Sequence, residues 1–367
     1  MKKKIPVFLI LGVTVSAAAL YLSLRNVPVS GLIRYLASIN YLWILPSVLI
    51  VLVSFILRAL RWQIILGSAY KVGFWRAYHP LMIGFMINCI IPGRVGEVAR
   101  PAILKKNEGV PFSTGLATVA AERVFDVILL ILLFAAVLAW VKIDPDLDIT
   151  FGGHHLNRET LMAVSGGIMK LLLFLVTGII LVCIPWSRKK IKEAIQAVPA
   201  LLFFSGPAFK EKLGQSVCAP LLRFIDNFAY GFALLKHPAR IFACLGLSFI
   251  IWGLSAFSFY VMALGCPGIE LTFSELAAVM VIICFFIALP SVPGYWGLWE
   301  AGGVFALALF GVSAEDAAGF TLANHAIQLI PIIIAGLVSA LITGVNILHI
   351  SSGDISVQVQ DRLRHET

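Results

Sequence analysis

Charged side chains recur at short spacing in two stretches of this 367-residue chain that adjoin long apolar segments. The stretches are "IIPGRVGEVARPAILKK" at residues 90–106 and "GLATVAAERVFD" at residues 115–126. Arginine presents a planar fork of donors that suits phosphate, and carboxylates can hold such arginines in place or relay a proton. The pattern predicts an anion-binding site, and its candidate residues are Arg94, Glu97, Arg100, Glu122, Arg123 and Asp126.

A second set of polar residues lies in and after "SVPGYWGLWEAGGVFAL" at residues 291–307. Tyr295 and Glu300 belong to this stretch, and Asn324 with His325 follows on the next predicted helix. His325 is typical of either a proton carrier or a helix–helix hydrogen bond. Backbone N–H groups freed beside the Pro-Gly pair in each stretch would add donors for an anion. We expect this set to serve the opposite face of the same site.

Both sets also have an interpretation that involves no ligand. Ion pairs between helices would explain the charges at 122–126, and anchoring at a membrane interface would explain Arg94 and Arg100. An aromatic belt would explain the tryptophans of the second set. Residue types and spacing alone therefore leave a binding role and a structural role open.

The composition indicates an integral membrane protein. Hydrophobic residues make up 60% of the chain and charged residues 13%, whereas about 25% charged is usual for a soluble domain. The net charge of +9 comes from Lys and Arg clustered between apolar segments, which is typical of cytoplasmic loops and argues against nucleic acid. The six scattered cysteines show no metal spacing, and no ATP-binding motif is visible. We expect no metal and no cofactor.

Apolar segments long enough to cross a bilayer, about 20 residues each, set the topology. They are residues 5–24, 41–60, 115–140, 168–186, 240–264 and 316–347. Segments 78–104 and 275–311 are interrupted at Pro-Gly and predict hairpins that enter the membrane and return. We predict an all-α polytopic fold of about six full spans plus two re-entrant helical hairpins, or eight or more helical membrane segments. Basic loops place both termini in the cytoplasm of a multi-pass protein of the cell (inner) membrane.

The two Pro-Gly segments align with each other at an offset near 200 residues. "PGRVG" at 92–96 matches "PGYWG" at 293–297, and His325 aligns with Glu122. This pattern predicts an inverted repeat with broken helices, as in transporters whose site lies at the repeat interface. One transmembrane domain at 1–350 would hold repeat 1 (about 41–140), an amphipathic cytoplasmic linker (about 187–239) and repeat 2 (about 240–347), before a cytoplasmic tail at 351–367.

These motifs resemble those of a known family. "PGRVGEVAR" at 92–100, "ERVFD" at 122–126 and "PGYWGLWE" at 293–300 are similar to motifs of the flippase-like membrane family typified by the transmembrane region of lysylphosphatidylglycerol synthase. The similarity covers about residues 5–347. It implies movement of a lipid with a polar or phosphorylated head group between leaflets. Two-domain members carry a soluble aminoacyl-transfer domain after the membrane region, and about 20 residues follow the last predicted span here, so we expect a transporter rather than an enzyme.

The hypothesis is a flippase-like transporter for an anionic or phosphate-bearing lipid of the phospholipid or polyprenyl-phosphate type. Its partners would be membrane lipids, and self-association into a homo-oligomer stays open. One alternative is an integral-membrane glycosyl- or phospho-transferase on a lipid carrier, with a metal-dependent site at "DPDLD" (144–148) and His154-His155, although a solvated loop explains that run equally. Another is an accessory subunit of a lipid- or glycan-assembly enzyme.

Overall fold

A computed structural model describes residues 7–25, 27–140, 148–151, 154–157, 184–201, 213–222, 237–289 and 292–345, with separate positions between 166 and 234. The predicted helical fold is confirmed, with one short antiparallel strand pair in the loop after α6. In chain order the elements are α1 (Val7–Leu24), α2 (Val29–Ser38), α3 (Ile44–Leu66), α4 (Phe74–Ile90), α5 (Gly96–Glu108), α6 (Phe112–Trp140), β1 (Asp148–Phe151), β2 (His154–Asn157), α7 (Pro185–Leu201), α8 (Pro238–Ala263), α9 (Phe273–Ile287), α10 (Leu298–Ala308) and α11 (Ala314–Thr343).

Three helices in the described part of the chain are long and apolar enough to cross a membrane. They are Tyr41–Leu66, Pro238–Ala263 and Ala314–Thr343, and they match three of the predicted spans. The 29-residue α6 has the length, but charges interrupt its apolar sequence. The predicted fourth span at 168–186, much of the linker and the tail at 351–367 lie largely or wholly outside the described residues.

Helices α4 and α5 form an antiparallel pair, named hairpin 1. Its tip 1, residues 91–95, breaks the helix because Gly93 and Arg94 adopt left-handed backbone angles (φ 83° and 54°). At the far end, Arg76 Nη1 donates to Glu108 Oε2 at 3.0 Å, so the start of α4 and the end of α5 lie side by side. The 17 residues of α4 and 13 of α5 span about 26 and 20 Å, less than the roughly 30 Å of a hydrocarbon core.

Helices α9 and α10 form an equivalent pair, named hairpin 2. At its tip 2, residues 292–297, Gly294 and Tyr295 are left-handed (φ 68° and 63°), at the positions that align with those in tip 1. A left-handed backbone at a non-glycine residue is uncommon. Its recurrence at aligned positions shows that the sequence similarity reflects the same local backbone.

The helices on either side of each hairpin complete two four-helix units, the first from α3 to α6 and the second from α8 to α11. The contacts between the two units are matched: α4 packs on α11 as α9 packs on α6, and α3 packs on α11 as α8 packs on α6. Helices α3 and α8 run antiparallel, since Asn40 N donates to Gly265 O (2.8 Å) at one end and Arg240 Nη1 to Ser68 Oγ (3.2 Å) at the other. The equivalent helices α3 and α8 therefore point in opposite directions.

Helices α1 and α2, which precede the first unit, lie outside this pattern, as does α7 between the units. Helix α1 supports tip 2, because Ser16 Oγ accepts a hydrogen bond from Val292 N at 3.1 Å. Helix α2, which the sequence analysis did not predict, packs Tyr35 against Gly319 of α11. Its other face is apolar and exposed at Val29 and Ile33. This amphipathic pattern suits a helix at a membrane interface.

Candidate functional site

Glu122 of α6 is the centre of a buried ion-pair cluster. Its Oε2 accepts from Arg100 Nη2 at 2.6 Å, and its Oε1 lies 3.2 Å from Nη2 of both Arg61 and Arg123. Glu122 and Arg61 are fully buried. One carboxylate thus accepts from three guanidinium groups contributed by three different helices.

Asp126, one helical turn further along α6, extends the cluster to α8. Its Oδ1 accepts from Arg61 Nη1 at 2.8 Å, and its Oδ2 lies 3.3 Å from Arg123 Nη1. Arg61 Nη1 also donates to Ser248 Oγ of α8 at 2.6 Å. Because Glu122 and Asp126 are four residues apart, they share one helix face, and that face joins α3, α5 and α8.

Arg61 was missed by the sequence analysis, which ended the second predicted span at residue 60. Helix α3 instead continues to Leu66, so it holds both Arg58 and Arg61. The available signal was "VSFILRALRWQIIL" at 53–66, which contains no Gly or Pro and places the two arginines three residues apart. Side chains at that spacing face the same way on a helix.

The partly exposed members of the cluster lie towards tip 1. The side chains of Arg123 and Glu97 are 31% and 27% exposed and lie 3.9 Å apart, and Arg94 is exposed. Arg94 Nη2 donates to Ile287 O, the last residue of α9, at 2.8 Å, and its guanidinium lies 5.9 Å from the ring centre of Tyr295. The two hairpins therefore meet at their tips, with Arg94 between them.

Positive charge is in excess around this junction. Among the described residues, Arg58 and Arg94 form no ion pair with a carboxylate, although Arg58 lies near Asp126 and Glu122. The group as a whole contains five arginines (58, 61, 94, 100 and 123) and three carboxylates (97, 122 and 126), which leaves two positive charges. An arrangement of this kind can accept an anion.

The second polar set forms a separate buried pair. His325 Nδ1 lies 2.6 Å from Glu300 Oε1, and His325 Nε2 lies 2.8 Å from the carbonyl oxygen of Gly294 in tip 2. Gly297 N donates to Glu300 Oε2 at 2.6 Å, and the ring of Trp299 stacks on the imidazole at 4.7 Å. The pair therefore connects α10, α11 and tip 2.

The candidate residues thus fall into two groups. The six of the first set lie around Glu122 and tip 1, and Glu300 with His325 forms the second group. Tyr295 lies between them at the tip junction. Asn324 is buried beside His325, but neither Oδ1 nor Nδ2 has a hydrogen-bond partner among the described residues.

The loop proposed for metal-dependent transfer lies mostly outside the described residues. Its described part is the β1–β2 pair, in which Thr150 is opposite His155 and Asp148 is opposite Asn157. Across the described part of the chain, no group of three or more His, Cys, Asp or Glu side chains could hold a metal ion. The structure therefore assigns no metal ligands.

Fold and site together define an α-helical, multi-pass integral membrane protein with a buried arginine–carboxylate cluster where its two helical units meet. The family model for the lysylphosphatidylglycerol synthase TM region matches residues 9–336. The chain belongs to this family, which confirms the resemblance found in the motifs.

Three relatives in archaea cover most of the chain. Glycosyltransferase AglD of Haloferax volcanii is 26% identical over 98% of this chain, but the chain spans only 58% of that protein. A UPF0104 membrane protein of Pyrococcus horikoshii is 25% identical over 92% of this chain and 96% of its own. Another UPF0104 membrane protein, of Methanothermobacter thermautotrophicus, is 27% identical over 79% of this chain and 80% of its own length. No solved structure matches the chain.

Proposed function

We propose that this protein moves an anionic, phosphate-bearing lipid between the two leaflets of the membrane. The observation that carries the proposal is the excess of arginine over carboxylate around Glu122 and the tip junction, where Arg58 and Arg94 form no ion pair with a carboxylate of the described residues. A charge at membrane depth costs on the order of 3 kcal/mol on insertion scales, and such residues mark substrate pathways. A phosphate head group would supply the missing negative charge.

The head group would contact the more accessible arginines, Arg94 and Arg123, together with Arg58. Glu97 lies 3.9 Å from Arg123 and would give way to the ligand, while Arg123 keeps its shorter contacts with Glu122 and Asp126 at 3.2 and 3.3 Å. Arg100 has a different role, since it is buried, paired with Glu122 and lies 4.2 Å from the ring centre of Trp62. We assign Arg100, Arg61 and Glu122 to positioning. Acyl or prenyl chains would stay in the surrounding lipid.

The two hairpins would open the site to one leaflet at a time. The two hairpins meet at their tips. Because α3 and α8 run antiparallel, the bases of the two hairpins would lie on opposite faces of the membrane. We propose that both are re-entrant and that the units form an inverted repeat with about six full spans, the arrangement in which alternating access operates. Withdrawal of tip 1 or tip 2 would expose the arginines to opposite sides.

The proposed location is the cell membrane, with both termini in the cytoplasm. Helix α7 carries a run of basic residues at 188–192 and an exposed Trp186. Basic segments of this kind favour the cytoplasmic surface and its anionic lipids. This orientation puts the base of hairpin 1 on the cytoplasmic side.

A leaflet-exchange assay in proteoliposomes tests the proposal, with fluorescent phosphatidylglycerol, a neutral phospholipid and a labelled polyprenyl phosphate. We expect the wild type to exchange an anionic lipid and Arg94→Ala to slow that exchange about 10- to 100-fold, the effect of losing one charged hydrogen bond. Arg76→Ala is the matched control, because Arg76 is 70% exposed at the opposite end of hairpin 1. Equal exchange by wild type and Arg94→Ala would contradict the site.

A transferase acting on a lipid carrier is the second candidate. The name of the Haloferax relative favours it, although the alignment covers only 58% of that protein. Dependence of glycosyl or phosphoryl transfer on Asp146, on His155 and on a chelatable metal would establish it. If the chain were instead an accessory subunit, the wild type itself would show no lipid exchange. Changes at the buried charges would then disrupt a complex with the partner enzyme.

A further inference from the structure

Equivalent places in the two units hold charged pairs of different chemistry. In the first unit Arg100 of α5 pairs with Glu122 of α6, and in the second Glu300 of α10 pairs with His325 of α11, both at 2.6 Å. Arginine keeps its proton under all ordinary conditions, whereas glutamate and histidine exchange theirs. The proton of the first pair therefore stays on arginine, whereas the proton between Glu300 and His325 can be exchanged.

The hydrogen bonds of His325 fix the number of protons that this pair holds. The Gly294 carbonyl can only accept, so Nε2 at 2.8 Å from it must carry a hydrogen. Nδ1 and Glu300 Oε1 lie 2.6 Å apart, which requires one proton between them. The pair is then either carboxylic acid with neutral imidazole or carboxylate with imidazolium. Both forms have zero net charge and one exchangeable proton.

Loss of that proton would break one of the two bonds of the imidazole. If the remaining hydrogen stays on Nε2, the Nδ1 lone pair faces the Glu300 carboxylate. If it moves to Nδ1, the Nε2 lone pair faces the Gly294 carbonyl. Either state places two acceptors in contact within a buried site, which is unfavourable. The proton therefore helps to hold α10 and tip 2 to α11.

The surroundings of the pair are mostly uncharged. Trp296 and Trp299 cover the imidazole, and within α11 Asn324 and Thr321 have buried polar atoms without hydrogen-bond partners in the described part of the chain. Helices α1, α8 and α9 contribute groups that do not titrate: Ser16, Phe259 and Phe286. Four charged or titratable groups of the first unit lie near Tyr295 of tip 2. They are Arg94, Cys89, Glu97 and Arg123.

We propose that the Glu300–His325 pair is a proton-binding site that fixes tip 2, so that release of its proton opens hairpin 2 and couples lipid movement to proton movement. The coupling part rests on the proposed lipid transport. The step transfers one proton between the pair and water on one side of the membrane, and no other covalent bond changes. The Arg100–Glu122 pair of the first unit leaves hairpin 1 without this control.

The decisive variant is Glu300→Gln. A glutamine amide can donate to His325 Nδ1 and accept from Gly297 N, so it reproduces the protonated pair without an exchangeable proton. In proteoliposomes with an imposed pH gradient, we expect the rate of wild-type lipid exchange to change about 10-fold with the direction of the gradient, which is the effect of one charged hydrogen bond. The rate of Glu300→Gln should not depend on the direction of the gradient. Glu275→Gln is the control, because Glu275 lies at the exposed start of α9, and it should respond as wild type.

A second measurement needs no transport. Hydrogen–deuterium exchange on the solubilised full chain, corrected for the intrinsic effect of pH, reports protection of residues 292–297. We expect protection to fall by roughly 10-fold or more as pH rises in wild type and to stay constant in Glu300→Gln. Constant protection in both would overturn the proton site. Lipid exchange that ignores the gradient would overturn the coupling alone, and absence of any exchange would count against the transport proposal alone.

Discussion

Glu122 and its three arginine neighbours show what sequence can and cannot predict at the scale of single residues. Charges at 122, 123, 126 and 100 within or beside apolar segments predicted a cluster, and the structure brings those side chains together. Arg61 could not be placed because the end of α3 was set too early. The pairing partners also depend on helix rotation, which apolar segments without a clear polar face do not fix.

Replacement of Glu122 by alanine should destabilise the fold. Three guanidinium groups would lose their shared acceptor, two of them buried, and breaking a buried ion pair costs about 3–5 kcal/mol. Thermal unfolding of the purified protein should show a clear drop in Tm.

Glu97→Ala is the matched control for this prediction. Its carboxylate is partly exposed and 3.9 Å from Arg123, so its loss should cost less than about 1 kcal/mol. The same Tm for Glu122→Ala and wild type would show that the cluster contributes little to stability.

At the scale of elements, the Pro-Gly pairs predicted where the hairpins break. They did not reveal that the two tips touch, because contacts between segments about 200 residues apart leave no local signal. Helix α2 was also missed. It lies in the stretch between two obvious spans, and only its contact with α11 through Tyr35 and Gly319 shows how it is held.

Gly96→Ala should separate the two helices of hairpin 1. A Cβ at this position would lie 1.8 Å from the carbonyl oxygen of Gly84, and backbone atoms cannot yield as side chains do. We expect destabilisation of about 1–3 kcal/mol or more, measured by Tm, together with reduced lipid exchange.

Gly246→Ala provides the comparison, since nothing lies within 4 Å of a Cβ there. Alanine in an exposed helix interior should be neutral or stabilising by up to about 1 kcal/mol. A similar Tm for both variants would mean that the close approach of α4 and α5 is not required.

At the scale of the whole molecule, an offset near 200 residues and a count of charges between apolar segments predicted two opposed units. The antiparallel α3 and α8 and the matched helix contacts agree with that arrangement. Neither the repeat offset nor the charge count fixes the number of full spans. Helix length and composition identify three spanning helices among the described residues, fewer than the sequence predicted. Helices shorter than a bilayer need a measurement of depth or sidedness.

Sidedness of the hairpin bases can be measured with single cysteines. Lys106→Cys lies at the base of hairpin 1 and Ser274→Cys at the base of hairpin 2, and both positions are exposed. A membrane-impermeant maleimide should label them from opposite sides of oriented vesicles, with the unsubstituted chain as background. Labelling of both from the same side would contradict the opposed arrangement.

The two uncompensated positive charges at the tip junction have an electrical consequence. A charge that crosses the transmembrane voltage gains or loses about 2.3 kcal/mol per 100 mV. The empty protein would carry those charges through any change of access, whereas a phosphate head group with two negative charges would cancel them. Voltage would then act mainly on the return of the empty protein, and the loaded step would be almost electrically silent.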